Sequence, residues 1–479
     1  MSVKKNFFYS SLLTVSGYLF PLVTYPYVSR VLGVNNIGIC GFVDSIIQYF
    51  LLLSTLGFIT IGIREVASNK TDQSKLSSAY SSILILNAVV TFLAVALLLV
   101  LIYTVPVFIL YRKLFYIGII KIVSNFLLVE WLYKGLEEFK FVTTRSILVK
   151  LIYVVAVFVF IKDEGDYVLY FLLTSLVVTV NAVINIMYSS KFVTITFKDV
   201  SVRKYLKPVV VLGLYGIITS MYTTFNITYL GIVSSTAEVG YYTTAIKFHT
   251  IIIALFTAFT GVMMPRMSSL LSNGEINEFL RMTSKSIELL IAFAIPLIVI
   301  CVIFASDLIK LLAGSGYEGA NIPTMIIMPL ILVIGFNQVF IIQMLTPLKK
   351  DKIILRNATW GAGVGVFFNF LLVSRMGAIG SSLVWVLSEM TILIASYISV
   401  HKIIGYQFST IILLKNIISY IPAIIVCFII YMLLEASIIR LLIAGVFIFL
   451  YTLVDQYIVF KNEIVLQMSD IIKNKLANR

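Results

Sequence analysis

The chain has 479 residues, of which 60% are hydrophobic and only 12% are charged, and its formal net charge is +14. Soluble domains carry about 25% charged residues, so this composition excludes a soluble globular enzyme and a disordered chain and indicates a helical membrane protein. The cysteines are three and far apart and the histidines are only two, which leaves no disulfide framework and no metal site to predict.

Apolar runs of about 20 residues, the length that spans a bilayer, recur along the whole chain. We therefore predict an all-α polytopic membrane protein with about 14 transmembrane helices. In chain order they lie near 7–30, 39–60, 80–103, 114–133, 146–161, 167–188, 208–230, 241–264, 286–305, 322–345, 357–374, 381–400, 416–434 and 439–459. The connections are too short to contain a separate folded domain.

The basic residues lie mainly between the apolar runs, which predicts the orientation of the chain. With the N-terminus placed in the cytoplasm, 27 of the 36 lysines and arginines fall on the inner side, as the positive-inside rule requires. An even number of spans then places both termini in the cytoplasm. This distribution accounts for the positive net charge, so we expect no nucleic-acid partner.

A weak internal repeat predicts two halves of the same orientation. Arg30-Val31-Leu32-Gly33, followed by Gly38 and Gly41-Phe42, is echoed about 200 residues later by Tyr229-Leu230-Gly231, followed by Gly240-Tyr241. Halves related in this way share an axis along the membrane normal. We predict a six-helix lobe over 1–200, a second six-helix lobe over 201–405, and two additional helices with a tail over 406–479.

Motifs of catalysis are absent from the sequence. It contains no GxxxxGK[ST], GxSxG or HExxH pattern and no large outer loop. We therefore expect a protein that is not an enzyme and has no catalytic residues.

One face of the seventh predicted helix is polar. Residues at helical spacing read Tyr215, Thr219, Tyr222, Asn226 and Tyr229. Lipid offers such groups no partner, so they should face protein or water, and tyrosine and hydroxyl groups suit sugar rings. We interpret the stripe as a candidate wall of a substrate cavity; ordinary contact between helices is the alternative, since hydroxylated residues are common there.

Ionisable residues at membrane depth cost at least ~2.5–3.5 kcal/mol at the bilayer centre and therefore indicate function. Arg30 ends the first helix, Asp44 and Arg64 lie in the second, Lys247 lies in the eighth and Glu389 in the twelfth. For the basic residues, snorkelling to the interface is the alternative.

The fourth helix carries charges on two faces. Glu130 and Lys134 are spaced to pair with each other. Lys121 lies nine residues before Glu130, which puts the two on opposite faces of a straight helix.

Three blocks of sequence resemble a known family. They are residues 26–38 (PYVSRVLGVNNIG), 131–139 (WLYKGLEEF) and 314–320 (GSGYEGA). They are similar to the opening and to two loops of the polysaccharide-export flippases, the Wzx-type O-antigen transporters of the multidrug/oligosaccharidyl-lipid/polysaccharide exporter superfamily. The resemblance covers at least residues 7–400.

The resemblance implies two lobes around a central cavity, in the cytoplasmic membrane of a bacterium. It implies export of an undecaprenyl-diphosphate-linked oligosaccharide repeat unit, of O-antigen or a related surface polysaccharide, from the inner to the outer leaflet. The partners would be that substrate, membrane lipids and a polymerase of the same pathway.

The resemblance also implies site residues. Related flippases line the cavity with basic residues on the first, second and eighth helices, and by position these are Arg30, Arg64 and Lys247. Some relatives bind sodium between the seventh, eleventh and twelfth helices, where this chain carries Asn226, Asn369 and Glu389 in place of the family's aspartates. With Asp44, Asn369 and Glu389 as ion-coupling candidates, we expect proton or sodium coupling and no cofactor.

Three other functions remain open from the sequence. A drug/cation antiporter of the same superfamily would favour a carboxylate-lined cavity, whereas the candidates here are mainly basic. A membrane polymerase or ligase acting on the same lipid-linked sugars would need a large outer loop with catalytic groups. A structural scaffold would leave the charges at membrane depth unexplained.

Overall fold

The computed structural model describes residues 3–198, 200–220 and 224–461. Over this part of the chain it shows helices joined by short loops and no strand. The α-helices are α1 (Val3–Thr55), α2 (Phe58–Asn69), α3 (Gln73–Thr104), α4 (Pro106–Leu110), α5 (Arg112–Leu127), α6 (Glu130–Gly135), α7 (Phe139–Phe160), α8 (Tyr167–Ser189), α9 (Val202–Ser220), α10 (Thr224–Val233), α11 (Thr236–Ser272), α12 (Ile276–Ile303), α13 (Ala305–Ala313), α14 (Asn321–Ile327), α15 (Leu330–Gln338), α16 (Asp351–Phe368), α17 (Ser374–Ile404), α18 (Thr410–Ser419), α19 (Ile421–Leu433) and α20 (Ser437–Ile458). Two π-helical segments, Val339–Leu345 and Asn369–Val373, follow α15 and α16.

The number of membrane spans agrees with the prediction. Ten helical stretches of the described residues are long and apolar enough to cross a membrane, or eleven if the bent pair at 318–345 is one span. The longest, Phe8–Asn69 and Asp351–Ile404, have 62 and 54 residues, twice what a bilayer needs. Divided in two, they bring the total to twelve or thirteen, and the predicted seventh span falls on α9 and α10. The fold class, an all-α multi-pass membrane protein, is confirmed.

Two glycines divide these long stretches. Gly33 in α1 has φ +73° and Gly377 in α17 has φ +54°, and each is the point inside its helix where the backbone is not helical. Positive φ values are accessible to glycine at little cost. Each long stretch therefore consists of two helices that meet at a glycine kink with no loop between them.

Contacts divide the chain into two units. Unit 1 comprises Met1–Thr244, Ala313–Tyr317 and Ala358–Ser388, and unit 2 comprises Ala245–Leu312, Glu318–Asn357 and Glu389–Arg479. The lobes over 1–200 and 201–405 stay a prediction, because this division rests on contact density alone.

The core of unit 1 forms where α2, α3 and α6 meet. Phe58, Tyr80, Trp131 and Tyr133 are buried there. A Cβ atom at Gly62 would lie 2.5 Å from the Trp131 ring, so the absence of a side chain at Gly62 is what lets the ring pack on the α2 backbone.

The two blocks of the predicted repeat contact each other within unit 1. A Cβ atom at Gly38 of α1 would lie 3.0 Å from the backbone nitrogen of Gly240 in α11. Beside this contact, the Thr236 hydroxyl donates a hydrogen bond to the Asn35 side-chain oxygen at 3.1 Å. Small residues thus let the α1 and α11 backbones touch, as they do in other membrane helix pairs.

Serine hydroxyls of α3 hold the irregular segment 193–197 that follows α8. The backbone amide of Thr194 donates to Ser77 Oγ at 3.2 Å, and that of Thr196 donates to Ser81 Oγ at 2.9 Å. The amide of Ser201, just before α9, donates to Ser82 Oγ at 3.0 Å. Side chains therefore satisfy backbone donors of the segment that connects the sixth and seventh predicted helices.

In unit 2, a buried ion pair fixes α20. The Arg440 guanidinium pairs with Asp307, which is 2% exposed, and lies over the Tyr431 ring at 4.5 Å. Hydrogen bonds from Arg440 to the Tyr431 and Leu434 carbonyl oxygens close the α19–α20 turn.

Candidate transport site

Arg30 is exposed at the end of the first span. Its Nη1 donates to the Pro26 carbonyl oxygen at 2.5 Å. The segment 313–317 packs on this helix end: Tyr317 donates its hydroxyl to the Ser29 carbonyl oxygen at 3.1 Å, and a Cβ atom at Gly314 (φ +91°) would lie 2.8 Å from Arg30 Cγ. Two of the three family-like blocks therefore meet around Arg30.

Arg64 is exposed on α2, at the opposite end of the second span. Beside it, Glu65 accepts from Lys204 Nζ and from the Tyr205 hydroxyl, both at 2.9 Å. The hydrogen bond to this carboxylate raises the pKa of Lys204. The second span runs from Gly33 through the end of α1 and α2 to Arg64, so Arg30 and Arg64 lie at opposite ends of it.

Lys247 is half-buried in α11 and belongs to unit 2. Thr243 and Thr250 lie one turn away on either side, and each bonds its hydroxyl to a backbone carbonyl of its own helix. The role of Lys247 in a cavity stays a prediction.

Asp44 forms an ion pair with α5, although its own side chain is 48% exposed. Its carboxylate pairs with Lys121 Nζ at 2.5 Å, and the Lys121 side chain is 15% exposed. Further along the same two helices, Asn125 donates to the Thr55 hydroxyl at 2.9 Å. The polar face of the second span is therefore matched by polar groups of the fourth, and the Asp44 charge is balanced at membrane depth.

Glu130 is the centre of a second set of charges, here named the Glu130 network. It pairs with Lys134 at 3.3 Å, as its spacing predicts, and with Arg145 at 3.0 Å. Arg145 is 5% exposed and also contacts the Asn185 side-chain oxygen. Asn185 in turn donates to the Leu128 carbonyl oxygen. Lys121 and Glu130 thus have different partners, but they do not share the straight helix of the prediction, because the backbone breaks between α5 and α6 at Val129 (φ +37°).

Asn226 lies at the centre of a buried cluster without charges, here named the Asn226 cluster. Its Nδ2 donates to the Tyr242 hydroxyl and to the Ser381 carbonyl oxygen, both at 2.7 Å. Its Oδ1 and the Ser381 Oγ are buried and lack hydrogen-bond partners. The cluster therefore contains two buried oxygen atoms that have no hydrogen-bond partner.

Asn369 lies on the segment that packs on α10, the helix of Asn226, and we group it with the Asn226 cluster. It begins the π-helical segment that packs on α10, where Tyr229 contacts Phe370 with ring centroids 5.0 Å apart. Asn369 is fully buried, its Nδ2 donates to Gly365 O at 2.8 Å, and its Oδ1 lacks a partner. π-Helical turns occur frequently at functional sites, and unpaired buried oxygens are uncommon in structures.

Most of the remaining predicted polar stripe lies outside the described residues. Tyr222 lies outside the described residues, and so do the side chains of Tyr215 and Thr219. Tyr229 packs on Phe225 and Phe370. Only Asn226 of the four predicted substrate-contacting residues of this helix therefore has described surroundings.

Glu389 lies in unit 2, where it contacts Asn337. Asn337 Nδ2 donates to Glu389 Oε2 at 2.9 Å, and Asn337 and Glu389 are 5% and 7% exposed. The two residues form a buried polar site within unit 2.

Comparison with known proteins decides the family. The profile of the family described as "Polysaccharide biosynthesis protein" matches residues 3–271, more than half of the chain. The chain belongs to the polysaccharide biosynthesis protein family. This member is 26% identical over 348 residues to the protein of Escherichia coli (strain K12) named "Putative O-antigen transporter", covering 72% of this chain and 84% of that protein.

Solved structures show the fold of this family member. The lipid II flippase MurJ in its inward closed conformation superposes with a TM-score of 0.77 at 14% identity, covering 94% of this chain and 99% of MurJ. An inward-facing multidrug resistance MATE transporter of the MOP superfamily gives 0.59 at 14% identity, covering 85% and 95%. The predicted resemblance to superfamily flippases is confirmed. These proteins are named as transporters and not as enzymes, which agrees with the expectation for this chain.

Sequence reasoning missed three groups. The partner of Asp44, Lys121, was noted only for its position relative to Glu130, and Ser381 and Tyr242 were not noted at all. The spacing of Ser381, Ser382 and Ser388 in α17 is the signal that could have been used, because hydroxyl groups at helical spacing in an apolar run favour a polar contact.

Proposed function

We propose that this protein moves a lipid-linked oligosaccharide across the bacterial cytoplasmic membrane. The cargo would be an undecaprenyl-diphosphate-linked repeat unit of O-antigen or a related surface polysaccharide, carried from the inner to the outer leaflet by alternating access. The family match over residues 3–271 carries the proposal. The name of the Escherichia coli relative and the MurJ fold support it.

The charges of the cargo explain the need for a protein. A diphosphate carries about two negative charges, and hydrocarbon is a poor solvent for charge and for sugar hydroxyls. Arginine binds phosphate bidentately. Since Arg64 and Arg30 lie at opposite ends of the second span, we assign Arg64 to loading at the inner surface, Arg30 to release at the outer surface and Lys247 to the passage between.

The membrane potential supplies part of the driving force. Moving an anion out of a negative interior gains about 2.3 kcal/mol per charge per 100 mV. ATP is then unnecessary, and a coupling ion has only to return the empty carrier to its starting state. The orientation with both termini in the cytoplasm, supported by the 27 inner basic residues, and a polymerase as downstream partner belong to the same proposal.

Two polar sites are the candidates for that ion. In the Asn226 cluster, the unpaired oxygens of Asn226, Asn369 and Ser381 belong to amide and hydroxyl groups. Oxygen atoms of this kind are suitable ligands for a hard cation such as sodium. Glu389 beside Asn337 is a carboxylate buried at 7% exposure, which suits a proton. Asp44 is balanced by Lys121, so a cation there would have to displace a lysine.

The test is complementation of a strain deleted for this gene. We expect Arg64→Ala, Arg30→Ala and Lys247→Ala each to lower surface polysaccharide at least tenfold while the protein stays in the membrane, and lipid-linked repeat units to accumulate on the inner leaflet. Arg281→Ala is the matched control, because Arg281 is 61% exposed and pairs with Glu278 on its own helix. Normal surface polysaccharide in the deletion strain itself would refute the proposed cargo.

A further inference from the structure

A large cavity in unit 1 is not accounted for by transport. It has a volume of about 960 Å³ and is lined by residues of α7, α8 and the loop before α7, together with Lys70. This volume is typical of sites for small organic ligands. We name it the α7–α8 groove.

The two ends of the groove differ in polarity. Its end beside the loop carries Lys70, Glu137, Glu138 and Lys140, whereas further along α7 and α8 it is lined by aliphatic side chains. Among these, Ile152 is 68% exposed and Val180 is 42% exposed. On a membrane-spanning helix such exposed apolar groups face lipid, so the groove opens toward the bilayer.

The length of the groove matches one leaflet. Along α7 its lining residues recur from Phe141 to Ile152 at spacings of three and one, which is a straight stripe of about 16 Å. The hydrocarbon core of one leaflet is about 15 Å deep. Since both helices cross the membrane, the groove runs in the direction of an acyl chain.

Aromatic rings mark the boundary between the two parts. Phe141 and Tyr188 stack with their ring centroids 3.9 Å apart, and both line the groove. Such rings concentrate at the level of lipid headgroups. The charged end therefore lies at the depth where a lipid carries its phosphate.

The charges of that end are balanced. Lys70 and Lys140 are matched in number by Glu137 and Glu138, and Lys70 pairs with Glu137 at 3.5 Å. A headgroup with a net negative charge gains nothing from such a rim. A headgroup that carries both a phosphodiester and an ammonium finds a partner of opposite charge for each.

One buried donor at the groove has no partner. Arg145 lines it and is 5% exposed; its two terminal nitrogens bond to Glu130, Asn185 and Ser146, but its Nε lacks a hydrogen-bond partner. A buried N–H without an acceptor is costly. Because this Nε is itself inaccessible, what Arg145 offers to a ligand in the groove is the positive charge of its guanidinium, which favours a phosphate.

We propose that the α7–α8 groove binds a phospholipid of the surrounding bilayer with a zwitterionic headgroup, its phosphodiester toward Lys140 and Arg145, its ammonium toward Glu138 and one acyl chain along α7. If the proposed orientation is correct, this lipid comes from the inner leaflet. It would be a resident lipid of the transporter and not its cargo.

Native mass spectrometry of the purified full chain tests the site. The probes are palmitoyl-oleoyl phosphatidylethanolamine and palmitoyl-oleoyl phosphatidylglycerol, added at equal concentrations. We expect at least fivefold higher occupancy by the phosphatidylethanolamine. Val180→Trp fills the apolar part and should lower that occupancy at least fivefold, whereas the control Val183→Trp, on the same helix at 48% exposure and outside the groove, should change it less than twofold.

Reversal of one rim charge sharpens the result. Glu138 begins α7 without a side-chain cap, so Glu138→Lys removes no helix cap, and we expect it to shift the preference to phosphatidylglycerol. Equal occupancy by the two lipids, equal effects of the two tryptophans, or displacement of the phospholipid by undecaprenyl diphosphate would each overturn the proposal. Because these experiments measure lipid binding and not transport, a negative result would overturn the lipid site without affecting the proposed function.

Discussion

The Glu130 network and the Asn226 cluster solve the same problem differently. Both place polar side chains inside an apolar helical unit. In the Glu130 network the carboxylate has cations at 3.0 and 3.3 Å, and its charge is balanced by the protein. In the Asn226 cluster the amide nitrogens of Asn226 and Asn369 donate hydrogen bonds, but the side-chain oxygens of Asn226, Asn369 and Ser381 have no partners. The first arrangement balances its carboxylate and leaves only Arg145 Nε without an acceptor, whereas the second has three unpaired oxygens and therefore capacity for a cation.

This difference teaches how to divide polar residues of a membrane span into framework and site. Polar groups whose hydrogen bonds are all made contribute to stability, and removal of one leaves its partner stranded. An unused acceptor contributes little to stability, and its loss should affect function more than folding. The following changes test that division.

The largest effect is expected for Glu130→Ala. It leaves Arg145 buried without its carboxylate, and breaking a buried pair in this way costs about 3–5 kcal/mol. Thermal unfolding in detergent should show the loss, with a strong fall in folded protein. Glu278→Ala is the control, because its partner Arg281 is exposed and such pairs contribute about 0–1 kcal/mol. Equal effects of the two changes would contradict a framework role for Glu130.

A smaller effect, of a different kind, is expected for Asn226→Leu. The substitution removes the unpaired Oδ1 and also the two hydrogen bonds that Nδ2 donates to Tyr242 and Ser381. The free energy of unfolding should therefore fall by about 1–3 kcal/mol, less than for Glu130→Ala, while transport per folded protein falls at least tenfold, or about 1.4 kcal/mol. Transport is measured as surface polysaccharide per amount of membrane protein. A variant that unfolds like Glu130→Ala would show that Asn226 is framework instead.

The smallest effect is expected for Asn226→Asp. A carboxylate in the Asn226 cluster should strengthen cation binding, and a site filled at ten times its Kd stabilises a protein by about 1.4 kcal/mol. The melting temperature of the variant should therefore rise more in sodium chloride than in choline chloride, and more than that of the unmodified chain. An equal response to both salts would exclude sodium from the cluster.

Much of the fold could be predicted from the sequence. Apolar runs of spanning length identify membrane helices because the bilayer fixes their length, and the runs near 80–103 and 167–188 fall within α3 and α8. The Glu130–Lys134 pair was predictable because both residues are in one helix, where spacing determines contact.

Contacts between helices were less accessible. Nothing in the spacing of Asp44 identifies Lys121 as its partner, because the two are 77 residues apart and meet only through packing. The prediction grouped Glu389 with Asn226 because of the helices on which they lie, but position along a helix also determines contact. In α17 it is Ser381 that contacts Asn226, whereas Glu389 contacts Asn337.

The hydrogen bonds between the α3 serines and the segment 193–197 depend on a match of two spacings. One helical step of four residues advances about 6.0 Å, and two residues of extended chain advance about 6.6 Å, so Ser77 and Ser81 meet alternate amides at Thr194 and Thr196 with little mismatch. The discrepancy of about 0.6 Å grows with each repeat, which limits such a match between helix and strand-like chain to a few bonds. The segment 193–197 is therefore held on α3 in a single register. Inserting one residue ahead of Thr194 would turn the backbone amides of this segment away from the serine hydroxyls.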